Sequence, residues 1–285
     1  MPVFIILIVL VLIVGALGYC MKPMPMDNMR KARFKSFEHH YIAHQGLHDN
    51  KFDAPENTMA AFKRAISCGF GVTIDVRLTK DKKLVCVSDE NLSRLCGENV
   101  TVAGTDHNVI KGYNVKGTNQ TIPLLSEVLT EIDGRVPVII NIKPTPAYDE
   151  VCRLLVKEIN SYTGDIAIAS LSPEIVEWFK INHSDILRGQ IGVNMFAPHN
   201  QSNDSLPDKL VTSFMLKNFK SQPDFIVYDF VEFDSLFMKA MRGFFGAETA
   251  GMVMTSQKCI DDLANKFDIA IFEGFTPREK DNILY

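Results

Sequence analysis

Apolar residues fall along this chain in two kinds of run. The first is a single unbroken stretch, Val3–Tyr19, built almost wholly of Val, Ile, Leu, Phe, Ala and Gly. With its flanks it supplies about 20 apolar residues, the length of helix that crosses a hydrocarbon core of about 30 Å. The rest is a recurring alternation. Short β-rich apolar runs predict strands at Tyr41–His44, Val72–Val76, Leu84–Val87, Pro137–Ile142, Ile166–Ala169, Arg188–Ile191, Phe225–Tyr228, Ala250–Met254 and Ile269–Phe272. Stretches with the 3.6-residue period predict helices at Asn57–Cys68, Tyr148–Tyr162, Pro173–Asn182, Leu206–Lys220, Phe233–Phe245 and Gln257–Lys266. The connection Arg77–Lys83 has only seven residues, too few for a parallel crossover, so its flanking strands predict a hairpin turning at Lys80-Asp81-Lys82. Counting that hairpin as one position leaves eight βα positions. That is the plan of an α/β TIM (β/α)8 barrel behind one N-terminal transmembrane helix, with a doubly wound open sheet as the alternative.

Composition narrows the class. The chain has 285 residues, 46% hydrophobic and 22% charged, which excludes overall disorder. The 264 residues beyond the uncharged start at 1–21 are enough for one barrel. Thirty basic against 34 acidic residues give a net charge of −4, without the basic footprint of a nucleic-acid binder. The charge is uneven. Lys22, Arg30, Lys31, Arg33 and Lys35 against Asp27 and Glu38 make residues 22–38 a +3 collar, and the remainder sums to −7. The chain is therefore expected to divide into an anchor at 1–21, a basic juxtamembrane linker at 22–38 and a barrel at 39–285. The positive-inside rule puts the barrel in the cytoplasm. A cleaved signal peptide ending near Ala16-Leu17-Gly18 is the rival, and it lacks the usual basic start. Six scattered cysteines show no zinc spacing and fit a reducing compartment or plain packing. Residues 90–124 and Pro198–Pro207 read as loops.

Side chains that do chemistry in such a barrel project from the C-terminal ends of the strands. Those ends supply His44, Asp75, Ser88 and Asp89, Asn141 and Lys143, Ala169, Gln190, Met254 and Glu273. The set suits an anion such as phosphate, with Lys143 and His44 as the positive groups. A lone strand-end histidine reads equally well as a hydrogen-bonded structural group, and Asp75 as the ion-pair partner of Lys143. His39, His40 and His48 are scattered by strand alternation and lack partner carboxylates, so they do not predict a metal site. Glu56 and Asn57 are expected to fix the first loop and cap the first barrel helix.

Three blocks carry a family resemblance: Ala43-His44-Gln45-Gly46, Ala54-Pro55-Glu56-Asn57-Thr58-Met59-Ala60-Ala61-Phe62 and Ile74-Asp75-Val76-Arg77-Leu78-Thr79-Lys80-Asp81. They resemble glycerophosphodiester phosphodiesterases, TIM-barrel enzymes of the phospholipase-C-like superfamily. The likeness continues through Val85–Gly97, Ile140–Lys143, Arg188–Gln190 and Phe272–Gly274. It implies hydrolysis of glycerol-3-phosphate esters with a divalent cation, Ca²⁺ or Mg²⁺, and two proton-transferring histidines. On that pattern His44 is the first catalytic histidine and Ser88 stands in place of the second. Gln45 replaces a phosphate-binding arginine, with Lys143 and Asp89 also on the substrate side. Asp75 is the one metal carboxylate left, because Thr73 and Asn141 occupy the other two positions. Ala169-Ser170-Leu171 replaces a common Glu-Ser-Phe run.

The physical cost of these departures is large. A hard dication wants several oxygens and draws its affinity from charged ligands. Losing a general acid or base costs about 10²–10⁴-fold. Glutamine cannot give the charged bidentate clamp that arginine gives phosphate. The sequence therefore predicts a membrane-anchored, catalytically impaired member of that family, with metal binding doubtful and no cofactor expected. Its expected partners are the membrane and a glycerophosphodiester or phospholipid-derived ligand. The rivals are an active phosphodiesterase with altered metal use, resting on His44, Asp75, Asp89 and Lys143, and a purely structural interaction module.

Overall fold

A computed structural model describes residues 2–38, 40–50, 52–200, 203–263 and 266–278. His39, the stretch 264–265 of the predicted last helix and the final residues 279–285 lie outside the described residues. In chain order the elements are α1 (Pro2–Met21), α2 (Asn28–Glu38), β1 (Tyr41–Ala43), α3 (Met59–Ser67), β2 (Gly71–Leu78), β3 (Leu84–Cys86), α4 (Ser93–Cys96), α5 (His107–Ile110), α6 (Leu125–Ile132) and β4 (Val138–Ile142). Then follow α7 (Tyr148–Ile159), β5 (Ile166–Ser170), α8 (Pro173–Asn182), β6 (Leu187–Ile191), α9 (Leu206–Ser213), α10 (Asn218–Ser221), β7 (Phe225–Asp229), α11 (Leu236–Gly243), β8 (Glu248–Met254), α12 (Gln257–Leu263) and β9 (Ile269–Phe272).

The sheet runs β1-β9-β8-β7-β6-β5-β4-β2-β3, and a further pairing of β1 with β2 closes it. Eight strands are parallel; β3 pairs antiparallel on β2 as the hairpin that the short connection requires. This is a closed TIM barrel, which excludes the open-sheet alternative. The register sets Asp75 of β2 beside Asn141 of β4. Strand side chains turned outward and the inner faces of the surrounding helices form the main core, from Phe62 and Ile74 round to Met254 and Phe272.

Three local departures from the sequence pattern have visible causes. The helix expected over Leu206–Lys220 is split into α9 and α10, because Met215 sits between them in the left-handed region at φ +48°. Helix α6 was not anticipated. It is only two turns long, but all four of its apolar residues, Leu125, Val128, Leu129 and Ile132, are buried, and Glu127 closes its first turn on the Leu124 N–H at 2.9 Å. The stretch 90–124 is also more than a loop. It carries α4 and α5, and Leu92, Leu95, Val102, Ile110 and Val115 pack there against Val85 and Val87 as a small core of their own.

The basic collar is likewise not an open linker. Asp27 accepts from the Arg30 N–H at 2.9 Å and starts helix α2. Phe34 and Phe37, one turn apart, are buried in the N-terminal end of the barrel among Ile42, Ile139, Leu187, Phe225 and Ile271. Beside them Arg30 donates to the fully buried Asp224 at 2.9 Å, and Asp224 also accepts from the Arg188 N–H at 3.0 Å. Burial pushes the Asp224 carboxyl upward, against the pull of the Arg188 and Arg30 guanidinium groups. Helix α2 thus forms the barrel floor. Phe37→Ala should cost about 3–5 kcal/mol, the usual figure for emptying a buried phenylalanine, read as a drop in the midpoint of urea unfolding.

Glu158 on α7 yields a second test. Burial pushes its carboxyl up to about 7, with Lys83 pulling the other way, and its Oε2 is buried without a hydrogen-bond partner. A carboxyl whose folded pKa lies above its unfolded value subtracts stability as pH rises from the unfolded value to the folded one, and the loss is complete above both. Glu158→Gln should therefore raise Tm at pH 8 and leave it level with the parent at pH 4. A gain of about 1 kcal/mol would appear as about 2–4 °C in a chain of this size.

Candidate functional site

Strand alternation turns Thr73 and Asp75 to the same side of β2, where both are buried at the barrel mouth. The Asp75 carboxylate is enclosed completely by donors. Its Oδ1 accepts from Asn141 Nδ2 at 2.5 Å and lies 3.6 Å from Lys143 Nζ. Its Oδ2 accepts from Gln45 Nε2 at 2.6 Å and from Asn57 Nδ2 at 3.4 Å. A carboxylate offers about four lone-pair directions; here it accepts three amide hydrogen bonds, and Lys143 adds an ion pair.

The loop after β1 makes this possible by bending twice through left-handed backbone at residues that are not glycine, Gln45 (φ 56°) and Asn57 (φ 54°). Asn57 also accepts from the Asp75 N–H at 3.1 Å, so its amide grips the strand from both sides. Gly46, at φ +81°, packs so closely on α3 that a Cβ there would meet the Ala61 backbone at 2.8 Å.

The electrostatics follow from this packing. Burial alone would raise the Asp75 carboxyl. Lys143, with the Gln45 and Asn141 hydrogen bonds, outweighs it and holds the group below the ordinary carboxylate value. Burial pulls His44 below its ordinary value, Lys143 adding to the effect against Asp75, so the ring is neutral near pH 7. His44 Nδ1 lies 3.0 Å from Thr73 Oγ1, which also accepts from the Gln45 N–H at 2.9 Å. His44, Asp75, Asn141 and Lys143, named from the strand ends, and Gln45 and Thr73, named from the resemblance, are thus brought together.

Asp89 is engaged elsewhere. Asp89 pairs with Arg94 at 2.7 Å, and Arg94 in turn binds Glu56 at 2.5 Å. The Ser88 carbonyl accepts from Arg77 Nε at 2.8 Å. Two groups carry more of the site than the sequence pattern assigned to them. Asn57, expected to fix the first loop and cap the first barrel helix, is instead a direct partner of Asp75, and the cap position of α3 is Thr58. The buried His48 places Nε2 3.5 Å from the Glu273 carboxylate, where burial raises the Glu273 carboxyl. His40 instead sets Nδ1 2.9 Å from the Ser36 carbonyl. The signal for Asn57 lay in its place next to Glu56, a block read as capping; for His48 only three-dimensional proximity to β9 reveals the pair.

The donor set does not fit a divalent cation. Asp75 is its one carboxylate, and Asn141 and Gln45 aim N–H groups at that carboxylate. Lys143 adds a positive charge 3.6 Å from the same carboxylate. A hard cation needs converging oxygens, and these side chains converge as hydrogen-bond donors. Among the described residues no cluster of three or more His, Cys, Asp or Glu side chains is arranged to hold a metal ion.

Fold and strand-end site together place the chain in the phosphodiesterase class of TIM barrels. It belongs to the Glycerophosphoryl diester phosphodiesterase family, whose sequence profile matches residues 44–213, more than half of the chain. A glycerophosphodiester phosphodiesterase of Caldanaerobacter subterraneus subsp. tengcongensis is 37% identical over 131 residues, 42% of this chain and 52% of that protein. Lysophospholipase D GDPD1 of Rattus norvegicus is 34% identical over 134 residues, 42% of this chain and 40% of the relative. These matches span about half, or less, of the relatives' own length. In fold, an Oleispira antarctica phosphodiesterase in complex with the product sn-glycerol-3-phosphate superposes with a TM-score of 0.68 at 20% identity, covering 82% of this chain and 92% of that one. A glycerophosphodiester phosphodiesterase from Thermotoga maritima gives 0.60 at 21% identity, covering 83% and 96%.

Asp75→Asn separates a structural carboxylate from a metal ligand. Removing one partner of a buried ion pair costs about 3–5 kcal/mol, so this variant should unfold at lower temperature than the parent at pH 7. A carboxyl held below its unfolded value contributes stability that is present above the unfolded value and lost as pH falls through the folded one. The two proteins should therefore converge in acid. In a crowd of carboxylates awaiting a cation, the same substitution would instead stabilise the metal-free protein.

Proposed function

We propose that this chain is a membrane-anchored member of its family that no longer runs the metal-dependent hydrolysis and binds a phosphate-bearing, lipid-derived ligand. The observation that carries this reading is the saturation of Asp75. Gln45, in the place of the phosphate-binding arginine, spends its amide on Asp75. Ser88, in the place of the second histidine, carries a hydroxyl that does not titrate near pH 7. His44 is a neutral ring resting on the Thr73 hydroxyl. These groups fix one another. Lys143, partly open to solvent at the mouth, is the positive charge left to meet a phosphate.

The ligand class draws on the relatives. They are named glycerophosphodiester phosphodiesterases and lysophospholipases D, so a glycerol phosphate ester, with or without an acyl chain, is the molecule proposed here. The anchoring part rests on α1. Its residues from Val3 onward form one helix long and apolar enough to cross a bilayer, and they pack against almost nothing in the barrel. The basic residues after it favour a cytoplasmic barrel.

The test uses the full chain in detergent micelles. Glycerophosphocholine with millimolar Ca²⁺, Mg²⁺ or Mn²⁺ should give no turnover, and none of the three cations should raise Tm. Metal-dependent turnover that His44→Ala abolishes would overturn the reading. Gln45→Arg, Thr73→Glu, Ser88→His and Asn141→Glu, made together, should install a cation-dependent rise in Tm. sn-Glycerol 3-phosphate should raise the Tm of the parent without added metal, and Lys143→Met should remove that rise.

A further inference from the structure

Outside α1, seven of the twelve exposed large apolar side chains of the described residues lie between Phe196 and Phe244; the other five are scattered over the rest of the barrel. The seven sit on adjoining elements. The loop after β6 is tied to the loop after β7 by Asn194 Nδ2 donating to Glu232 Oε1 at 2.8 Å, and to α9 by the Met195 N–H on Ser213 Oγ at 2.9 Å. The end of α9 meets α11 where the Phe214 and Phe237 rings stand 6.0 Å apart. Leu206 and Leu210, one turn apart on α9, therefore share a flank with Leu236 at the head of α11. Leu236 is 87% exposed and Phe244, at the foot of α11, is 82% exposed.

The last turn of α1 joins the barrel on this same flank. Tyr19 stacks near Phe219 with ring centres 5.8 Å apart, Met21 O accepts from Asn218 Nδ2 at 3.0 Å, and Gly18 faces the Phe245 ring. Phe245 in turn lies edge-on to Phe244 at 5.0 Å. Exposed apolar side chains thus recur from the point where α1 leaves the barrel, at Phe244, through Leu236, Leu210 and Leu206 to Phe196 and Val231 at the mouth, with Lys239 and Asp208 exposed among them.

We infer that the β6–β8 flank is a docking face for the phospholipid bilayer that α1 enters, and that the barrel lies on its side against the membrane with one edge of its mouth at the headgroups. This rests on the anchor reading above and adds to it an orientation. Exposed apolar side chains gathered on one flank of an otherwise polar surface mark an interaction face. Aromatic and aliphatic side chains arrayed beside a span are the composition of a surface lying in the membrane interface. The occupant is fixed by continuity: once α1 is in a bilayer, its last turn brings this flank to the same bilayer. A lipid-derived ligand then reaches Lys143 from the headgroup layer, past Phe196 and Leu236, rather than from bulk water.

The chain has one tryptophan, Trp178, on α8 outside this flank, and this makes the test direct. Full-length protein is reconstituted into phosphatidylcholine vesicles with and without lipids brominated along the acyl chains, which quench indole emission on contact. In a Trp178→Phe background, Leu236→Trp and Phe244→Trp should each lose most of their emission in brominated vesicles. Ile181→Trp, also exposed at the end of α8, should keep its emission. Leu236→Trp and Ile181→Trp both unquenched in protein that floats with the vesicles would overturn the docking face while leaving the anchor standing. Quenching of all three would show membrane contact without this orientation and would overturn it too. Protein that fails to float would overturn the anchor, and this inference with it. Leu236→Trp unquenched both by brominated lipid and by a soluble quencher, together with a dimer in micelles, would overturn the bilayer as occupant and assign the face to a second copy of the chain.

Discussion

A carboxylate buried at the mouth of a closed barrel has to be neutralised by whatever surrounds it, and the site is organised around that requirement. Where a dication does the work, its neighbours are acceptors that share the cation. Here Asp75 stands alone, and the neighbours have become donors: three amides and an ammonium on two oxygens. The placements of Gln45 and Asn141 are therefore coupled. Either one alone would leave an unpaired charge or an unsatisfied amide in a dry place. Together they form a set whose hydrogen bonds are satisfied internally.

The two ends of the barrel are closed by different physics. The mouth is held by charge and hydrogen bonds, with Arg94 drawing Glu56 and Asp89 together beside the Asp75 cluster. The floor is held by Phe34 and Phe37, with Asp224 gathering Arg30 and Arg188 at their edge. A polar mouth answers to ligands and pH, whereas an apolar floor answers mainly to mutations that change its volume. Damage to one end need not be felt at the other.

Much of this was legible in the chain because the strands of a barrel are short apolar runs at regular spacing. The nine predicted strands all occur, and the hairpin followed from loop length alone. The mouth residues of β1, β2 and β4 were legible for the same reason: strand ends point at the site. What escaped had a common cause. Phe34 and Phe37 were hidden in a stretch dominated by basic charge, and nothing local says that a helix so polar has a floor to fill. Asn57 needed its left-handed backbone to reach Asp75, which composition does not announce. His48 and Glu273 are 225 residues apart in sequence and meet only because β9 closes on β1. Helix α6 was too short for periodicity to stand out from its flanks.

The connection between α1 and the barrel has a mechanical meaning. Only residues 22–27 separate α1 from α2, and they are fastened at Met24, whose N–H donates to the Pro223 carbonyl at 3.0 Å. A domain on a slack tether sweeps out a volume and meets its ligands at every angle. This one has no slack. With α1 in a bilayer, as proposed above, it would turn and drift only as its first helix does, and its encounters would be confined to a thin layer and governed by diffusion in a plane.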